Sequence, residues 1–138
     1  MSYFQRNIGS LIEPIKGYSP RSMSAGTQNG NTIDLLSYGF PQSCVLFAMV
    51  GAATGTPAAQ TYDVKLQHSD DGSSWQDLDG AALASITADN ATAKRDIDLS
   101  TAKRYVRTHE TMAFTAGTTP AWIIGCIVIL GGSARPAI

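Results

Sequence analysis

Charge is sparse in this chain. Asp, Glu, Lys and Arg make up 15% of its 138 residues, and the formal net charge is -1. A general nucleic-acid binder carries a strong basic excess, so that class is set aside. Little like-charge repulsion remains to keep copies apart, which suits a protein that assembles. Cysteine is scarcer still. Cys44 and Cys126 both sit inside apolar runs, without Cys-x-x-Cys or His/Cys ligand spacing, so no zinc site is expected. They read as buried free thiols acting as small hydrophobes, with a cross-strand disulfide as the other reading. The two histidines, His68 and His109, have no nucleophile pattern beside them and no third group to complete a catalytic set, so neither an enzyme nor a cofactor is expected.

Long apolar runs are missing too. The longest, residues 121–130, is about half of what a membrane-spanning helix needs. Residues 1–7 lack the basic start, apolar stretch and small-residue cleavage site of a signal peptide. The expectation is a protein made and kept in the cytoplasm, or in something assembled there, with no membrane contact.

What the chain does have is short β-type segments. In residues 60–80, Tyr62, Val64 and Leu66 alternate with Asp63, Lys65 and Gln67, giving an extended segment with one apolar side. Ser69-Asp70-Asp71-Gly72-Ser73 supplies turn chemistry, and Trp75 to Leu78 returns as the second strand of a hairpin. Trp75 and Leu78 have opposite parity, which a bulge would reconcile by pointing both inward. Further strands are expected at 32–36 (closed by a turn at 37–41), 43–50, 93–99, 104–111 and 121–130. The loop at 80–91 has room for one helical turn. Seven short strands with turn signals between them read as an all-β antiparallel β-sandwich, or jelly-roll-like fold.

Two of those strands are apolar on both faces. In 43–50, Cys44, Leu46, Ala48 and Val50 face one way while Val45, Phe47 and Met49 face the other; 121–130 behaves alike, with Ile123, Ile127 and Ile129. A sandwich has one interior, so something must cover the second face. The residues Phe47, Met49, Ile123, Ile127 and Ile129 are therefore the expected oligomer face.

The first thirty residues differ from the rest. Tyr3, Phe4, Ile8, Leu11, Ile12 and Ile15 are apolar, Gly9, Pro14, Gly17 and Pro20 interrupt any helix, and 19–31 has a linker-like composition. One reading is an extended N-terminal arm with apolar anchors and a flexible hinge, reaching beyond its own domain; the other is a segment folded across its own domain. The division expected is an arm at 1–30, a sandwich at 31–132 and a tail at 133–138.

Other residues suggest chemistry, each with a plainer reading beside it. Asp70, Asp71, Asp77 and Asp79 suggest calcium, but the spacing of a calcium loop is absent and the turn already accounts for them. Lys94, Arg95, Lys103, Arg104 and Arg107 form the one basic concentration, balanced by Asp96, Asp98 and Glu110, and read as a solvated face. Trp75 could stack on a sugar; Trp122, heading an apolar strand, reads as core.

The stretch from Tyr62 through Ser69-Asp70-Asp71-Gly72 to Leu78, then Lys103-Arg104-Tyr105-Val106-Arg107, then Ile129-Leu130-Gly131-Gly132, resembles small structural proteins of tailed bacteriophages and prophages, above all the head decoration or cement proteins. The likeness covers residues 27–132, and the strand, Asp-Asp-Gly turn and Trp form its most specific part. It implies a β-sandwich that binds the outer surface of the capsid in the virion. Made in the host bacterial cytoplasm, it would bind the major capsid protein as a homo-oligomer (trimer or dimer) and clamp neighbouring capsomers. The alternative is a carbohydrate- or receptor-binding module of a phage tail or fibre, built on Trp75 and the Asp70-Asp71-Gly72 loop.

Overall fold

Period-two burial decides the architecture. The computed structural model describes residues 8–131, and these form nine strands. They are β1 (Glu13–Met23), β2 (Gly26–Asn29), β3 (Ile33–Asp34), β4 (Ser43–Thr54), β5 (Ala59–Ser69), β6 (Gln76–Ala82), β7 (Thr92–Asp98), β8 (Tyr105–Thr115) and β9 (Ala121–Gly131). One antiparallel sheet runs β1-β9-β4-β7, and the other β2-β8-β5-β6, with the two-residue β3 added against β8. With β3 set aside, the first strand pairs with the last, the second with the last but one, the third with the sixth and the fourth with the fifth. That is a long hairpin rolled into two sheets, a jelly roll.

The core lies between the sheets. Leu46, Ala48 and Val50 of β4 and Trp122, Ile124, Val128 and Leu130 of β9 meet Tyr62, Val64 and Leu66 of β5 and Val106 and Met112 of β8. Trp122 is fully buried, its indole N–H donating to the Gly51 carbonyl at 2.7 Å. Cys44 and Cys126 are buried free thiols, as expected.

The arm boundary is not where composition put it. From Glu13 onward, the segment read as arm and linker is β1, paired with β9, and β2, paired with β8. Pro14, Gly17 and Pro20 do break the alternation, and β1 shows register shifts on both sides of Tyr18. It remains a strand because it is an edge, where a proline removes no N–H that a second neighbour needs. Ile15, expected among the arm anchors, therefore sits in β1 opposite Val128, packed against its own core. Tyr3, Phe4 and the tail at 133–138 lie outside the described residues. Two smaller expectations also change. Residues 83–91 hold no helical turn, because Ile86 bridges Tyr62 instead. The strand expected at 104–111 runs on to Thr115.

Candidate functional site

The outward side chains of the β1-β9-β4-β7 sheet form the surface of interest. Register fixes its rows. Pro14, Ile129, Val45 and Asp96 lie side by side across the four strands, and so do Lys16, Ile127, Phe47 and Lys94. In the next row Met49 stands between Gly125 and Thr92. The centre is thus apolar and the charges sit at the two edge strands. Met49 is 50% exposed and Ile123 54%, while Phe47, Ile127 and Ile129 are half-buried. The five residues expected to share an outward face do share one.

Near the middle the face is hollow. Gly125 contributes no side chain, and Pro20 of the bulged β1 lies over it, its Cγ 3.6 Å from where a Cβ would stand. Tyr18, Pro20, Phe47, Met49 and Ile127 wall a groove of about 310 Å³, with Lys16 at one side. The Arg21 guanidinium stacks over the Tyr18 ring at 3.5 Å and holds that wall in place.

The opposite face, on β5 and β8, differs in kind. Lys65 Nζ lies 2.8 Å from Asp77 Oδ2, Arg107 donates to Gln67 Oε1 at 3.0 Å, and His109 Nδ1 lies 2.7 Å from Asn29 Oδ1. Exposed pairs of this kind contribute little stability. They mark a face whose polar groups are already matched and wet. Burial, with Lys65 and Arg107 nearby, holds the His109 imidazole below its ordinary pKa.

Between the sheets lies a polar cluster that sequence reading missed. Glu110 is fully buried; its carboxylate accepts from Arg21 at 2.7 Å, from the Tyr62 hydroxyl and from the Cys126 thiol at 3.3 Å. Burial pushes the Tyr62 hydroxyl well above its ordinary range, and burial plus the Glu110 charge pushes the Cys126 thiol up to about 12. The signal was available: Glu110 has the parity of Val106 and Met112, both core residues. The Arg21–Glu110 pair ties β1 on one sheet to β8 on the other across the sandwich.

The other sequence candidates are engaged locally. Asp71 Oδ1 accepts from the backbone N–H groups of Ser74 and Ser73 and from the Ser69 hydroxyl, which holds its carboxyl at about 2. His68 Nδ1 accepts from the Lys103 N–H. Arg104 forks onto Asp34 with two 2.9 Å bonds, and Lys103 Nζ lies 3.5 Å from Asp70 Oδ2. Lys94 and Arg107 stand on different sheets, so the basic residues do not converge. Trp75 does not turn inward with Leu78; Arg107 lies over its ring at 4.3 Å. Among the described residues no group of His, Cys, Asp or Glu could hold a metal, and no helix is long and apolar enough to cross a membrane.

No family model matches this chain, and neither does any curated protein. Among solved structures, it is similar to a chain of infectious bursal disease virus, Gx strain, with a TM-score of 0.47 and 12% identity. The match covers 91% of this chain and 33% of that one. Neither score nor identity is high enough for the likeness to bear on function.

Proposed function

We propose that this chain is a non-catalytic structural component of a bacteriophage particle, a decoration or cement protein on the outer surface of the capsid. In this reading it binds the major capsid protein and other copies of itself, bridges neighbouring capsomers, and touches neither nucleic acid nor membrane. The observation that carries the reading is the apolar outer face around Phe47, Met49, Ile123, Ile127 and Ile129, set against a polar face on the other sheet. Large apolar surface of this kind marks an interaction site. The likeness of the Tyr62–Leu78 hairpin to decoration proteins supports it. Fold alone does not choose, since jelly rolls serve in both capsids and lectins. Leu11 and Ile12, ahead of β1, with Ile8, Tyr3 and Phe4 before them, are the remaining candidates for capsid contact.

The carbohydrate-binding alternative is less well supported. Arg107 occupies one face of Trp75, and the Asp71 carboxylate is taken up by its own turn.

Quantitative mass spectrometry of virions from the phage or prophage that encodes the chain tests the reading. Copies in the hundreds per particle, and loss of capsid heat resistance when the chain is withheld, are expected. Absence from the particle, or a handful of copies at the tail, overturns it.

A further inference from the structure

A second exposed apolar element lies away from the groove. The 3-10 turn Leu35–Tyr38 leads through Gly39 to Phe40, and Leu36, Tyr38 and Phe40 are between 38% and 50% exposed. Three large apolar side chains in five residues, all reaching into water, form a knob. Its backbone is fixed. Asp34 caps the turn at the Leu36 N–H and is itself forked by Arg104, while the Gly39 and Phe40 N–H groups return to the Leu36 and Leu35 carbonyls. Gly39 and Phe40 both hold positive φ, at 74° and 52°. For a residue as bulky as Phe40 that is uncommon, and it holds the ring outside the fold.

We infer that copies of this chain join head to tail, the Leu36–Phe40 knob of one copy seated in the Gly125 groove of the next. Size supports the fit. A cavity of roughly 150 Å³ takes a benzene ring, so the groove of about 310 Å³ has room for the two rings of Tyr38 and Phe40. Both surfaces are apolar, and neither carries a charge that the other must bury; Lys16 stands at the side of the groove.

A chain cannot fill its own groove with its own knob. The knob precedes Ser43, and Met49 lies six residues further along β4, roughly 20 Å away at strand rise. The capped turn cannot bend back over that span. A head-to-tail contact closes into a ring or continues as a filament, whereas a face-to-face contact gives a dimer. On the decoration reading, it favours the trimer. Each junction is small. Half-exposed aromatics and a leucine on one side, with the groove walls on the other, bury on the order of 500 Å² in total, below the ~1,200 Å² of a standard interface. Association in dilute solution is accordingly weak, and the lattice of a particle would reinforce it.

Sedimentation equilibrium of the full chain over a series reaching millimolar concentration tests this, with Phe40→Asp and Met49→Glu. Aspartate accepts positive φ better than phenylalanine, and Met49 is exposed, so both variants should keep the wild-type melting temperature. Wild-type mass should rise with concentration, and each variant alone should associate about thirtyfold more weakly or worse. An equal mixture should form dimers and nothing larger, since it holds one intact knob facing one intact groove. A wild-type chain that stays monomeric overturns the contact, as does a mixture without dimers. If Phe40→Asp associates like the wild type, a face-to-face pairing or the segment at 1–7 occupies the groove instead. Any of these results together with hundreds of copies per virion would sink the contact and leave the decoration reading standing.

Discussion

Replacing Arg21 with methionine removes, among the described residues, the one cation paired with the carboxylate of Glu110, which has no access to water. Glu110 is fully buried, and Arg21 is 20% exposed, reaching from β1 on one sheet to β8 on the other. Removing one partner of a buried pair costs about 3–5 kcal/mol, because the other charge is left desolvated. The partial exposure of Arg21 admits some solvent screening, so the lower end applies. Losing the stacking on Tyr18 at 3.5 Å adds about 0.5–1 kcal/mol. The expected loss is about 3–4 kcal/mol out of a total stability of roughly 5–15 kcal/mol. For a domain of this size that lowers the melting temperature by about 10 °C.

The assay is urea unfolding followed by tryptophan fluorescence, run as a double-mutant cycle with Glu110→Gln. The amide keeps a hydrogen bond to Tyr62 without a charge, so Arg21→Met with Glu110→Gln should recover most of the loss. Hydrogen exchange should show the β1 amides losing protection first in Arg21→Met, since this pair pins that edge strand across the sandwich. A loss below about 1 kcal/mol for Arg21→Met, or a double variant as unstable as the single one, refutes the reasoning.

Other outcomes follow from the same packing. Deleting residues 1–30 strips β1 and β2 and strands Glu110 without its cation, so the truncated chain should show no cooperative melting by circular dichroism. Burial raises the Cys44 and Cys126 thiols to about 12; a thiol reagent at pH 8 should label neither in the native state and both after denaturation, and rapid native labelling would contradict the buried assignment. The Asp71 carboxyl is held at about 2, below its unfolded value near 4. Its stabilisation is therefore present above pH ~4 and is lost as pH falls through about 2. Asp71→Asn should flatten the stability profile across that window, and an unchanged slope would show that the turn does not depend on the charge. Trp75→Ala should cost about 1 kcal/mol or less, the value of one partly exposed cation–π contact, and a much larger loss would mean that the ring belongs to the core.

The strands legible in the sequence are those with clean alternation or dense β-branching. Tyr62, Val64 and Leu66 announced β5, and the isoleucines of 121–130 announced β9. Their outward residues could be named because a period of two leaves no choice once the inward set is known. The edge strand β1 was not legible. Pro14, Gly17 and Pro20 are breakers in a single segment, and only the presence of β9 beside it makes them tolerable. Glu110 and Arg21 were missed for a related reason. An acidic residue on a strand reads as wet, and the cation that makes its burial affordable lies 89 positions away. In the sequence the knob reads as a strand end at Leu36 followed by an ordinary turn at 37–41, whereas the strand stops at Asp34 and a 3-10 turn starts at Leu35. Nothing local says whether Leu36, Tyr38 and Phe40 face the core or the solvent.

The two outer faces bear on orientation. If, on the proposed reading, the apolar sheet face looked out to solvent on a particle, Met49 and Ile123, each about half exposed, would stay wet and forgo roughly 1 kcal/mol apiece, about half of what full burial is worth. The face built on β5 and β8 would meanwhile press its Lys65–Asp77 and Arg107–Gln67 pairs against a partner, and desolvating such pairs gains little or is unfavourable. Both terms favour turning the β1-β9-β4-β7 sheet toward other protein and leaving the hairpin with Asp71 and Trp75 in water. Substitutions on the two faces should therefore separate. On the proposed decoration reading, Ile123→Asp should abolish attachment to the particle while leaving the melting temperature unchanged, whereas Lys65→Ala should leave attachment intact. Attachment measured by co-sedimentation with particles that withstands Ile123→Asp and fails with Lys65→Ala would reverse the orientation.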